Sequence, residues 1–160
     1  MKLAFYKGKS ITSRLIRWKT RGEYSHVAVI FDDGRVLEAW QGTNSVRWIK
    51  SLSDGHTPGT EVVIFDIDAP VNEEAALKFA ESQIDKPYGY RTILKFLTNT
   101  SGDNKDAWIC SEIALAICIA GGAPLLARVD AYKISPVTLS WSPLLKFNST
   151  VVTENANASK

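Results

Sequence analysis

Cys110 heads an apolar segment, Ala107-Trp108-Ile109-Cys110-Ser111-Glu112-Ile113-Ala114-Leu115-Ala116-Ile117. Ile109, Ile113 and Ile117 recur at i, i+4 and i+8, the spacing of one helix face. Asp106 is placed to cap such a helix, and Gly121-Gly122 to end it. A thiol in the first turn lies near the positive end of the helix dipole, which lowers its pKa and raises its thiolate fraction. That is the chemistry of a nucleophile. The competing reading is a small buried core residue.

A nucleophilic thiol needs a base nearby and a third group to hold that base. The chain has two histidines. His26 opens an apolar stretch, where catalytic base and satisfied core histidine are the two readings. His56 lies in a Gly/Pro/Asp loop and reads as a solvated surface residue. Two candidates stand for the third group. A two-residue turn at Asp33-Gly34 sets Gln41 opposite His26 and leaves Glu38 three positions short. A three-residue turn puts His26 and Glu38 on one face, still offset. A carboxylate holds the ring and stabilises imidazolium better than an amide does.

The elements that must position these groups follow from the pattern. Lys2 to Tyr6 reads as a strand. Ser10 caps a helix to about Lys19, with Ile11, Leu15, Ile16 and Trp18 toward the core. Arg14, Arg17, Lys19 and Arg21 fall mainly on the wet side, as a solvated face or one that meets an anionic surface. His26 to Phe31 and Val36 to Trp40 read as strands joined at Asp32-Asp33-Gly34-Arg35, because Asp-Gly supplies the positive φ of a tight turn. Ser45 to Ile49 and Glu61 to Ile67 read as further strands, the latter central because both its faces are apolar. Asn72 caps a helix to about Ile84, striped by Ala76, Phe79 and Ala80. Residues 85 to 90 form a turn, 91 to 97 a short helix and 98 to 105 a polar loop. Pro136 starts a last short helix. Strands dominate the first half and helices the second, so the fold class is α+β, an antiparallel sheet with helices packed on it. One domain is expected over residues 1–147, with a frayed polar tail over 148–160.

Five segments together resemble one family. They are Tyr24-Ser25-His26-Val27-Ala28-Val29-Ile30, Val36-Leu37-Glu38-Ala39, Lys86-Pro87-Tyr88-Gly89-Tyr90, Trp108-Ile109-Cys110-Ser111-Glu112 and Ile134-Ser135-Pro136. They resemble the circularly permuted NlpC-type papain-like hydrolases, the YiiX/YaeF group, in which the histidine precedes the cysteine. The resemblance covers about residues 1 to 145. It implies a papain-like domain, a small antiparallel sheet against the cysteine helix. It implies Cys110 as nucleophile, His26 as base and Glu38, over Gln41, as the third residue. Tyr24, Tyr88 and Ser111 are the expected oxyanion or substrate-binding residues. The family often carries an Asp after the tyrosine of the Pro-Tyr segment. Gly89 stands there, so that contact is lost.

The activity implied is cysteine-dependent amide hydrolysis or acyl transfer, as of a cysteine peptidase acting on a muropeptide of peptidoglycan. The alternatives are a lipid amide or ester substrate, and a non-catalytic binding domain of papain-like shape. Five tryptophans offer either an acyl groove or core packing. No Cys-pair or His-Glu-x-x-His motif appears, so neither a zinc site nor another cofactor is expected. Cys110 and Cys118, about 12 Å apart along one helix, cannot form a disulfide. Basic residues are scattered and balanced by acids at a net charge of +2, which disfavours nucleic acid. No apolar run spans a bilayer, and the first residues lack a signal-peptide pattern, so a cytoplasmic protein is expected.

Overall fold

The computed structural model describes residues 1–89, 107–127, 129 and 134–154. Six strands form one antiparallel sheet: β1 (Lys2–Tyr6), β2 (His26–Ile30), β3 (Val36–Trp40), β4 (Ser45–Ile49), β5 (Glu61–Ile67) and β6 (Leu145–Val152). Their order is β4-β3-β2-β1-β5-β6. The helices are α1 (Ile11–Thr20), α2 (Glu73–Glu81), α3 (Cys110–Ala120) and α4 (Pro136–Ser140). The expected α+β, papain-like architecture is the one observed. The segments expected as a helix over 91–97 and a loop over 98–105 lie outside the described residues.

Period-two alternation divides the core into two layers. Leu3 and Phe5 of β1, with Val27 and Val29 of β2, pack against Ala76 and Ala80 of α2 and against Ile113, Ile117 and Cys118 of α3. Ala4, Tyr6 and Ala28 face the other way, with Val36, Ile49, Val62 and Ile64, under Leu52 of the loop after β4. α3 is buried on nearly every side, from Cys110 through Cys118 with only Ala116 half-exposed. This goes beyond the single stripe its isoleucines suggested. The ends behave as their residues dictate. Ser10, Asn72 and Ser135 each accept a backbone N–H of the following turn. Gly122, at φ 80°, lets the chain leave α3.

Two expectations need correction. α1 forms where its cap predicts, but Ile11, Leu15 and Trp18 point to solvent, and no residue of the helix is fully buried. A 3.6-residue period marks one face and cannot say which side that face takes. The first part of the tail expected over 148–160 is strand instead, to Val152, and residues 155–160 lie outside the described residues. β6 pairs with β5 from Ile67↔Leu145 to Glu61↔Val152, and Thr153 then accepts the Thr60 N–H through its hydroxyl. Most of its side chains are exposed, so its composition reads as polar although its main chain is paired.

Candidate functional site

The β2–β3 hairpin decides which residue can reach His26. Phe31 N–H donates to the Arg35 carbonyl at 2.9 Å, and Ile30 pairs with Val36. Three residues, Asp32 to Gly34, therefore make the turn, with Gly34 at φ 87°. This register puts Glu38 two positions from the residue facing His26, on the same side of the sheet. His26 Nε2 lies 2.7 Å from Glu38 Oε2. No bulge is needed for Glu38 to reach His26. Gln41 lines the neighbouring cavity.

Glu38 is 0% exposed and shared among three partners. His56 Nε2 lies 3.1 Å from the same Oε2. Arg47, opposite Glu38 on β4, donates Nε and Nη2 to Oε1 at 3.0 and 2.7 Å. Burial alone would raise the carboxyl pKa. Hydrogen bonds and charge from His26 and His56 outweigh it and hold the group well below its usual range. His26 is pushed down by burial, against the opposing pull of Glu38, so its imidazole is neutral near pH 7.

The expectation that His56 is a surface residue is wrong. Its side chain is 5% exposed, stacked on Tyr6 at 4.1 Å and tilted on Trp40 at 4.5 Å. Arg47 Nη2 also donates to the Asp54 carbonyl, tying the loop down. Gly55 completes the bend at φ 79°, where a Cβ would lie 2.8 Å from Arg47 Nη2. Loop composition concealed this. The available signal was Asp54-Gly55-His56, a turn that returns a histidine toward the sheet. The phenol of Tyr6, fully enclosed beside this cluster, has no hydrogen-bond partner among the described residues.

Cys110 approaches from the other face. It is the first residue of α3, with Ile109 in the cap position and Glu112 Oε2 accepting the Ile109 N–H at 3.1 Å. Asp106, expected as the cap, lies outside the described residues. The nearby backbone N–H groups of Val27 and Ser111 favour the thiolate, yet burial dominates and pushes the thiol up to about 12. The expected thiolate at the helix dipole is therefore not the resting state: desolvation exceeds the dipole. Among the described residues no hydrogen bond joins this sulfur to His26. Val27, whose N–H favours the thiolate, is the next residue along β2.

An apolar cavity of about 30 Å³ opens at Cys110, lined by Ile16, Ser25, Tyr88, Ile109, Ile134 and Pro136 among others. Ser25, Tyr88 and Ile16 also line the cavity at His26. Tyr88 thus lines both cavities. Ser111 lines the Cys110 cavity too, but its hydroxyl donates to the Ile134 carbonyl. Tyr24 packs on Phe5, with ring centroids 5.2 Å apart.

His26 Nε2, His56 Nε2 and a Glu38 oxygen lie within 4.8 Å of one another. Two imidazoles and one carboxylate are the donor set of a zinc site with an open fourth position. Arg47 on the second carboxylate oxygen would orient that ligand. The residues present fit a divalent cation. Sequence gave no such sign, because the three donors come from two strands and a loop.

The sheet, the buried cysteine helix and the preceding histidine strand define a small papain-like fold of permuted order. Among solved structures, the metalloprotein yiiX from Escherichia coli O157:H7 is similar, at TM-score 0.68 and 16% identity, over 92% of this chain and 94% of that one. No protein-family profile matches the sequence, and no curated protein matches it. No helix among the described residues is long and apolar enough to cross a membrane.

Proposed function

We propose that this chain is a cysteine-dependent hydrolase or acyl transferase acting on an amide or ester carbonyl through Cys110, His26 and Glu38. The observation that carries it is the shared lining of two cavities: Ile16, Ser25 and Tyr88 wall both the one at Cys110 and the one at His26, whose Nε2 is engaged by Glu38. Nδ1 is the ring nitrogen nearer the main chain and remains for the sulfur. Cys110 Sγ attacks the carbonyl carbon as its proton passes to His26. The C–N or C–O bond then breaks, and His26 returns the proton to the departing amine or alcohol. Water, or an acceptor nucleophile, attacks the thioester while His26 takes its proton, and the acyl group leaves Cys110. Glu38 stabilises the imidazolium of each half-reaction. The Cys110 N–H lacks an intrahelical acceptor and suits the oxyanion, with Tyr88 beside it.

The substrate favoured is acyl rather than muropeptide. Among the described residues, no charged side chain lines the Cys110 cavity, while muropeptides carry carboxylates that need cations. The test is a screen of acyl lipids and muropeptides with mass detection of an adduct on Cys110. Cys110→Ala is expected to abolish both turnover and adduct with the fold retained. Undiminished turnover in that variant would end the proposal.

The donor set at His26, Glu38 and His56 supports a second reading, a divalent-cation site, and the structurally similar yiiX is described as a metalloprotein. A cation there would take the lone pair of His26 Nε2. Ion binding and thiol chemistry are then mutually exclusive states of one site.

A further inference from the structure

α1 has two sides with opposite surroundings. Its inner side, through Ile16, walls the Cys110 cavity. Thr12, Ser13 and Ile16 line the cavity at His26. Its outer side carries Ile11 at 86%, Leu15 at 43% and Trp18 at 75% exposure. These positions, at i, i+4 and i+7, form one stripe. Arg14 and Arg21 are exposed on the same stripe, so cations and apolar side chains alternate along it. Arg17 is turned inward, donating to the Lys7 and Gly8 carbonyls, which anchors the helix to the end of β1. Residues 1–22 hold seven of the chain's 19 Lys and Arg and none of its 17 Asp and Glu.

We propose that this face of α1 docks on an anionic lipid bilayer surface and so presents the Cys110 cleft to membrane acyl lipids. Apolar side chains with interleaved arginines suit the headgroup boundary, where the former enter the acyl edge and the latter meet phosphates. Tryptophan favours that boundary because its ring is apolar and its N–H is polar. An aqueous protein partner would face a net positive strip, with the single carboxylate of Glu23 bordering it beside Arg21, and would need its own acidic groove. A bilayer of anionic lipids supplies that complement without further design. The docking stands on α1 alone. The choice of acyl lipid as substrate rests on the thiol chemistry proposed above.

The test is co-sedimentation with phosphatidylcholine vesicles, with and without phosphatidylglycerol. Wild-type protein is expected to sediment with the anionic vesicles, less so with neutral ones, and less as salt rises. Trp18→Ser with Ile11→Ser is expected to lower partitioning at least about tenfold, and Arg14→Glu severalfold. Circular dichroism should be unchanged, because these side chains are solvent-exposed. Soluble short-chain ester turnover should also be unchanged. Absence of wild-type sedimentation, or equal sedimentation by the variants, overturns the docking. A self-associating wild type that Trp18→Ser renders monomeric, without vesicle binding, overturns it in favour of a second copy. Cys110→Ala should sediment normally and release no acyl group from vesicle lipid. Vesicle-bound wild type that releases none overturns the substrate and leaves the docking standing.

Discussion

His26 Nε2 and Glu38 Oε2 meet at 2.7 Å, with the carboxylate fully buried. Arg47 balances the charge from the other oxygen. Glu38→Gln would remove that charge and leave the guanidinium enclosed without a counter-ion. Breaking a buried pair in this way costs about 3–5 kcal/mol. Urea unfolding of the variant at pH 7 should show a loss of that order. A loss below about 1 kcal/mol would mean that the cluster is solvated.

The same cluster sets the acid limit of the fold. A buried imidazole held below its ordinary 6.5 makes the unfolded chain bind more protons as pH falls past that value. Stability then declines with falling pH. Glu38, depressed from 4.5, adds a second decline beginning near pH 4.5. Its stabilisation is present above that pH and is lost as pH falls toward the folded-state value. Unfolding titrations between about pH 3 and 8 should show both legs. Glu38→Gln should flatten the lower one.

Much of this was legible beforehand, and the gaps have physical causes. Five strands, the caps at Ser10 and Asn72 and the helix start at Pro136 are local features, written in alternation, side-chain oxygens and a fixed φ. The choice between Glu38 and Gln41 hung on one residue of turn length, which Asp-Gly chemistry does not fix. His56 and Arg47 were missed as partners of Glu38 because sheet pairing and loop closure bring them together from distant positions. β6 was missed because a mostly solvated edge strand needs no apolar face. The outward stripe of α1 was misread because periodicity gives no sign of which side is core.

A thiol raised to about 12 should be slow to react in the resting protein. Iodoacetamide labelling of Cys110, followed by peptide mass mapping, is expected to lag a free thiol at pH 7. It should climb toward high pH without a plateau near neutrality. A plateau near pH 7 would reveal a resting thiolate paired with imidazolium, against the desolvation argument made here.

His56→Phe keeps a ring against Tyr6 and Trp40 while deleting the nitrogen that faces Glu38. Zinc titration by calorimetry discriminates its role. Wild type should bind about one ion if the three donors act together, and His56→Phe and His26→Ala should each lose that binding. Cys110→Ala should keep it. Retention by His56→Phe would place any bound ion elsewhere.

Tyr6→Phe tests the enclosed phenol. Its hydroxyl has no partner among the described residues, and burial raises its pKa well above 10, so it stays neutral. Deleting an unsatisfied buried hydroxyl removes a desolvation penalty of about 1–3 kcal/mol while the ring stack on His56 stays. The variant should therefore unfold at higher urea than wild type, with an unchanged denaturant slope. If it unfolds earlier instead, the hydroxyl is holding a water or ligand beside Glu38. Comparing Tyr6→Phe with and without zinc then separates the two. A stability loss that appears only with the ion would make the phenol part of the cation's surroundings.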